Sequence, residues 1–130
     1  MFMWDNMIEP NKARQMNPVV LAFVGDAVYT LYVREKLALS SDCKTGELNR
    51  RAAEQVSAHG QSGLTESLLP RLDEEELAIF HRARNAKKPT KSKNATVAEY
   101  NRSTGFEAVI GYLYLTGNTP RILQLFEENQ

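Results

Sequence analysis

Val19–Val33, VVLAFVGDAVYTLYV, is apolar almost throughout, yet it carries Asp26 at its centre. Apart from tyrosine hydroxyls, Thr30 is the only other polar group in the run. A lone ionised carboxylate in an apolar interior costs several kcal/mol unless a cation or hydrogen-bond donors compensate it. Asp26 is therefore expected to be either paired or in use. The theme returns near the other end of the chain in Gly105–Leu115, GFEAVIGYLYL, where Glu107 is the only charge. Two apolar, helix-like segments that each hold one acid among small residues suggest two carboxylates meeting at one site.

Outward from the first stretch, Asn17-Pro18 supplies a helix start. Asn accepts from the first free N–H groups, and Pro suits the first helical position. Helical spacing of apolar residues continues to about Leu39, and a helix apolar on nearly all sides is expected to be central. Residues 1–16 read as a loose lead-in, with Trp4 and Ile8 as candidates to pack on the body, and 17–130 as one domain. A second helix is expected over Lys44 to about His59, with Leu48, Ala52, Ala53 and Val56 on its apolar face. A short one follows through Leu64, Leu68 and Leu69, ending at Pro70. Asp73 with Glu76 three residues on has the form of a capping box, and the helix it starts runs through Ala83. The last two helices are expected from about Thr96 to Leu115, stopped by Gly117-Asn118, and from Thr119-Pro120 onward. No segment alternates with the period of a strand, so the fold class is all-α.

Composition bounds the rest. A chain of 130 residues with 42% hydrophobic and 25% charged residues has the makings of one globular domain. One cysteine, Cys43, excludes an internal disulfide and fits a reducing, cytoplasmic setting. The N-terminus lacks the pattern of a signal peptide, and no apolar run approaches the roughly 18 residues that span a bilayer. The formal net charge is zero, so any nucleic-acid argument must come from charge distribution. Between His81 and Arg102 stand seven basic residues, Arg82, Arg84, Lys87, Lys88, Lys91, Lys93 and Arg102, against one acid, Glu99. A helix end followed by a lysine-bearing loop is a plausible grip on phosphates, although solvated charged loops are common.

Phosphate-binding glycine loops, dinucleotide fingerprints and zinc spacings are all missing. His59, His81 and Cys43 read as surface or structural residues. Asp26 and Glu107 remain. The bland reading is a pair of buried salt bridges, with Arg34, Arg50 or Arg51 as partners. The functional one is a site for a hard cation such as Mg²⁺, which favours oxygen ligands and is commonly held by one or two carboxylates plus substrate phosphate. Gly25, Ala27, Ala108 and Gly111 would let the two helices approach closely enough for both acids to reach one ion.

At these residues the chain resembles a known family. FVGDAV (23–28) is similar to the first signature of ribonuclease III, and GFEAVIGYLYL (105–115) to its second. RARNAK (82–87), KNA (93–95), STGFEA (103–108), VSA (56–58) and Gln61 resemble the smaller branch, Mini-ribonuclease III. The resemblance covers about residues 17–128. It implies an all-helical endonuclease domain, Asp26 and Glu107 as catalytic metal ligands, and Mg²⁺ (with Mn²⁺ as a substitute). It further implies a homodimer that cuts double-stranded RNA, each subunit's site cutting one strand, and maturation of the large-subunit (23S) ribosomal RNA precursor. A ribosomal protein that presents the substrate is a candidate partner.

The chain departs from full-length ribonuclease III where that enzyme carries two further acids, at the positions of Ala22 and Thr104. The smaller branch is expected to lack these acids. With the chain ending at Gln130, no appended RNA-binding domain is expected, which gives RNA affinity to the seven basic residues of 82–102. The reading is thus a metal-dependent endoribonuclease. The alternative is a non-catalytic helical RNA-binding or ribosome-assembly protein that retains the fold.

Overall fold

The computed structural model describes residues 7–40, 42, 44–88 and 95–127. Its helices are α1 (Pro10–Gln15), α2 (Pro18–Ser40), α3 (Thr45–Val56), α4 (Ser62–Leu68), α5 (Glu74–Asn85), α6 (Val97–Leu115) and α7 (Thr119–Glu127). A 3-10 turn, Leu69–Arg71, follows α4. Among the described residues there is no strand, as the patterning requires.

The start and stop signals act as read. The Asn17 side chain accepts from Val19 N at 2.9 Å. Asp73 and Glu76 form the full capping box, at 2.8 and 2.9 Å. Thr96 and Glu99 form a second one that the sequence reading did not single out. Gly117 ends α6 with a φ of 78°, a left-handed conformation that glycine adopts without a side-chain clash. Pro70 lies within the 3-10 turn and does not end the segment.

The described part of the lead-in, residues 7–16, is more ordered than expected. Residues 10–15 form α1, Ala13 is fully buried, and Ile8 N donates to Leu115 O at 2.9 Å. Trp4 lies outside the described residues. Arg14 reaches the Tyr112 hydroxyl at 3.1 Å.

The central helix is α6 and not α2. Ser103–Phe106 and Ala108–Leu113 are all buried, and α6 is packed between α2 and α5. Phe106 meets Tyr29 of α2 edge-on, with ring centroids 5.1 Å apart, and Tyr29 meets Phe126 of α7 at 5.4 Å. Helix α2 buries one side on α6 but leaves Val20, Phe23, Asp26 and Ala27 exposed, Phe23 at 80%. Being apolar on two faces, it had only one of them covered by this chain. Ala53, placed on the apolar face of α3 from sequence, is exposed as well.

Glycine lets α2 and α6 touch backbone to backbone. A Cβ at Gly25 would lie 1.7 Å from the Glu107 carbonyl oxygen, and one at Gly111 would lie 1.9 Å from that of Leu21. Ala108 is buried in the same helix, whereas Ala27 faces away and takes no part in the contact. Farther off, the buried carboxylate of Glu76 is held by Arg121 at 2.8 and 2.9 Å. Burial pushes the Glu76 pKa up, but the Arg121 guanidinium and the Asp73 backbone N–H outweigh it and leave it below the ordinary value.

Candidate active site

Since Gly25 lies against the backbone of Glu107, the next residue, Asp26, is delivered beside Glu107. The two acids line one cavity of about 340 Å³, together with Ala22, Phe23, Gln61, Lys88, Tyr100 and Thr104 among others. The expected meeting of two carboxylates is what the packing of α2 on α6 produces. No ion pair among the described residues joins either acid to a lysine or arginine. Arg50 and Arg51, suggested partners, pair instead with Glu47 and Glu54 on their own helix.

Glu107 accepts from Gln61 Nε2 at 3.2 Å. Its pKa is pushed up to about 9, first by burial, then by its hydrogen bond to Asp26 and by the Asp26 charge, while the Gln61 amide works in the opposite direction. Glu107 therefore holds its proton at neutral pH. The folded-state value lies above the ordinary 4.5. The protonated group's contribution to stability is therefore fully present below about 4.5 and is lost as pH rises through about 9.

A divalent cation bound here must displace that proton. Mg²⁺ affinity is thus expected to rise with pH up to about 9, by up to about tenfold per unit if one proton is released. Calorimetric titration of Mg²⁺ at pH 6, 7 and 8 checks this, and an affinity flat in pH contradicts it. In EDTA, the stability of the Glu107→Gln variant relative to wild type should grow over the same range.

The positions of the two departures, Ala22 and Thr104, line this same cavity. Thr104 is buried, and its hydroxyl donates to Tyr100 O at 3.0 Å. Among the described residues no group of three or more Asp, Glu, His or Cys is placed to hold a metal. The donor set is two carboxylates, and beside them Gln61 Oε1 is buried without a hydrogen-bond partner. An all-oxygen set of this kind suits Mg²⁺ or Mn²⁺.

The described basic residues stand in different settings. Lys88 lines the cavity, with its ammonium on Arg84 O at 2.7 Å, and burial pushes its pKa down. Lys87 is exposed. Arg82 donates to the carbonyls of Arg14 (2.6 Å) and Met16 (3.2 Å), tying α5 to the end of α1. Arg84 contacts Asn85 Oδ1 at 3.3 Å, and Arg102 pairs with Glu66 at 3.2 Å. Lys91, Lys93 and Cys43 lie outside the described residues. His59 Nδ1 meets Glu99 at 2.7 Å at the surface, and His81 is half-buried with its ring edge-on to Phe80.

The sequence assigns no role to Gln61. Its contact with Glu107 spans 46 positions, so no local pattern could have announced it.

Known proteins resemble this chain over most of its length. Residues 19–118 match the ribonuclease III domain. The chain is 44% identical over 119 residues to the Mini-ribonuclease 3 of Desulfitobacterium hafniense, covering 92% of this chain and 75% of that one. It is also 44% identical over 112 residues to the Mini-ribonuclease 3 of Brevibacillus brevis, covering 86% and 84%. A crystal structure of a Fusobacterium nucleatum protein superposes with a TM-score of 0.80 at 33% identity, covering 88% of this chain and 92% of that one. The chain belongs to the ribonuclease III family of endoribonucleases, in its Mini-ribonuclease III branch.

Proposed function

We propose that the chain is a Mg²⁺-dependent endoribonuclease that hydrolyses phosphodiester bonds in double-stranded RNA, with Asp26 and Glu107 as catalytic metal ligands and Mn²⁺ as a substitute ion. The observation that carries this is the meeting of two carboxylates in one cavity, neither of them in an ion pair with a lysine or arginine among the described residues. A site of like charges is costly to keep unless a cation or substrate completes it. When bound, Mg²⁺ supplies charge neutralisation at a phosphodiester and a water of lowered pKa. Asp26, exposed at the rim, and Glu107, deeper and braced by Gln61, would hold it.

Lys88 is the basic residue at the cavity itself and is suited to a phosphate next to the cut bond. Lys87, Lys91, Lys93, Arg82, Arg84 and Arg102 are the further residues we assign to contacts with the duplex backbone. The narrow major groove of A-form RNA leaves recognition to backbone and shape. The exposed Val20, Phe23 and Ala27 on α2, directly beside Asp26, support a homodimer that covers this face and brings two sites to one duplex. A 23S ribosomal RNA precursor in the cytoplasm, presented with the help of a ribosomal protein, is the natural substrate we assign.

The test is incubation with a long RNA duplex in Mg²⁺ and in EDTA, beside Asp26→Asn. Cleavage that needs both the metal and Asp26 supports the reading. Binding without cleavage under any divalent ion favours a non-catalytic RNA-binding protein. In the Asp26→Asn background, replacing Lys87, Lys88 and Lys91 by Gln should weaken binding and flatten its salt dependence by roughly one unit of slope per lost phosphate contact. An unchanged slope in a filter-binding series would move the RNA surface elsewhere.

A further inference from the structure

We infer that Gln61 is a positioning residue for the reaction, which orients the Glu107 carboxylate toward Asp26 and the cation between them. The inference rests on the metal-site reading above and extends it to a residue outside the two acids.

Gln61 is 1% exposed, and its environment leaves its amide one orientation. Val56 O, an obligate acceptor, sits 2.8 Å from one end of the amide, so that end must be Nε2. Its second N–H is then the one aimed at Glu107 Oε2, at 3.2 Å. A flipped amide would set its oxygen against the Val56 carbonyl and lose both bonds. The backbone beneath is held too. Gln61 N donates to Ser57 O at 3.0 Å, and Gln61 O accepts from Thr65 N at 2.9 Å and Thr65 Oγ1 at 3.0 Å. Gly60 packs so tightly that a Cβ there would lie 1.9 Å from Glu54 O. A turn pinned at each of these points fixes the amide, and the amide restricts the carboxylate to rotamers that keep Oε2 on Gln61. The remaining oxygen of Glu107 is left for Asp26 and the ion. Groups that orient a ligand in this way typically matter about 10–100-fold to metal affinity or activity.

Gln61→Met keeps the buried volume and removes both donors. It is expected to weaken Mn²⁺ binding to the RNA-free protein, followed by electron paramagnetic resonance, by about 10–100-fold. It should lower kcat by a similar factor, leaving KM for duplex RNA and RNA affinity in EDTA unchanged. Gln61→Asn, one methylene short of Glu107, should behave alike and serves if the Met variant does not fold. Wild-type Mn²⁺ affinity and kcat in a folded variant overturn the proposal. So does a parallel fall in RNA affinity and thermal midpoint, which marks a structural role only. Glu107→Gln separates the two readings. If it retains wild-type Mn²⁺ affinity, the metal site itself is wrong and the proposal falls with it. If it loses that affinity while Gln61→Met keeps it, the site stands and the proposal alone fails.

Discussion

Asp26→Asn should abolish cleavage of duplex RNA, by at least about a hundredfold, while leaving the thermal midpoint in EDTA unchanged. A hundredfold loss corresponds to roughly 3 kcal/mol of transition-state stabilisation. The stability half of the expectation distinguishes a working carboxylate from a structural one. Asp26 is exposed, and its charge contributes to holding Glu107 far above its ordinary value. Asparagine keeps the shape of Asp26 and still offers a hydrogen-bonding group to the protonated Glu107 carboxyl, so at this exposed position stability has no reason to fall. Measurement of single-turnover cleavage beside a melting curve decides the matter. A variant that melts early and cleaves poorly would return Asp26 to a structural role.

Gly25→Ala should destabilise the protein by about 3 kcal/mol, although alanine favours an isolated helix by roughly 1 kcal/mol over glycine. The added Cβ would lie 1.7 Å from the Glu107 carbonyl oxygen, a backbone atom that cannot rotate away. Relief requires α2 and α6 to separate, and that separation strips contacts along the largest interface of the fold. Propensity is a one-residue effect, whereas packing is felt along the whole helix pair, so packing wins. Gly111→Ala meets Leu21 O in the same way at 1.9 Å. Against a total stability of typically 5–15 kcal/mol, the double variant should be largely unfolded in a urea titration. Where Gly25→Ala does fold, it should bind Mn²⁺ weakly, because the helices that carry the two acids have been driven apart. A raised midpoint for Gly25→Ala would show that the helices do not approach this closely.

Helix by helix, much of this was legible in the chain. Asn17-Pro18, the Asp73–Glu76 box and Gly117 are local signals, each acting within one turn, and they set the boundaries of α2, α5 and α6. The isolated acids Asp26 and Glu107 were legible because a charge within an apolar run is conspicuous without any knowledge of its neighbours. Small residues near them announced a close helix contact, although only Gly25 and Gly111 make it, and Ala27 does not.

Burial had to wait for the tertiary structure. A helix apolar on two faces does not state which face its own chain will cover, so α2 read as central when that place belongs to α6, and Phe23 proved exposed. Charge runs behave similarly. Of the basic residues close together in sequence, those among the described residues have different settings: Lys88 is at the cavity, Arg82 is fastened to carbonyls before α2, and Arg102 is paired with Glu66. The chain by itself determined an all-helical domain and marked out two isolated acids, since periodicity, caps and isolated charges are properties of neighbouring residues. Only the tertiary structure decided that Gln61 braces Glu107 and that α2 keeps a bare apolar face, since both depend on which surfaces meet across long stretches of chain.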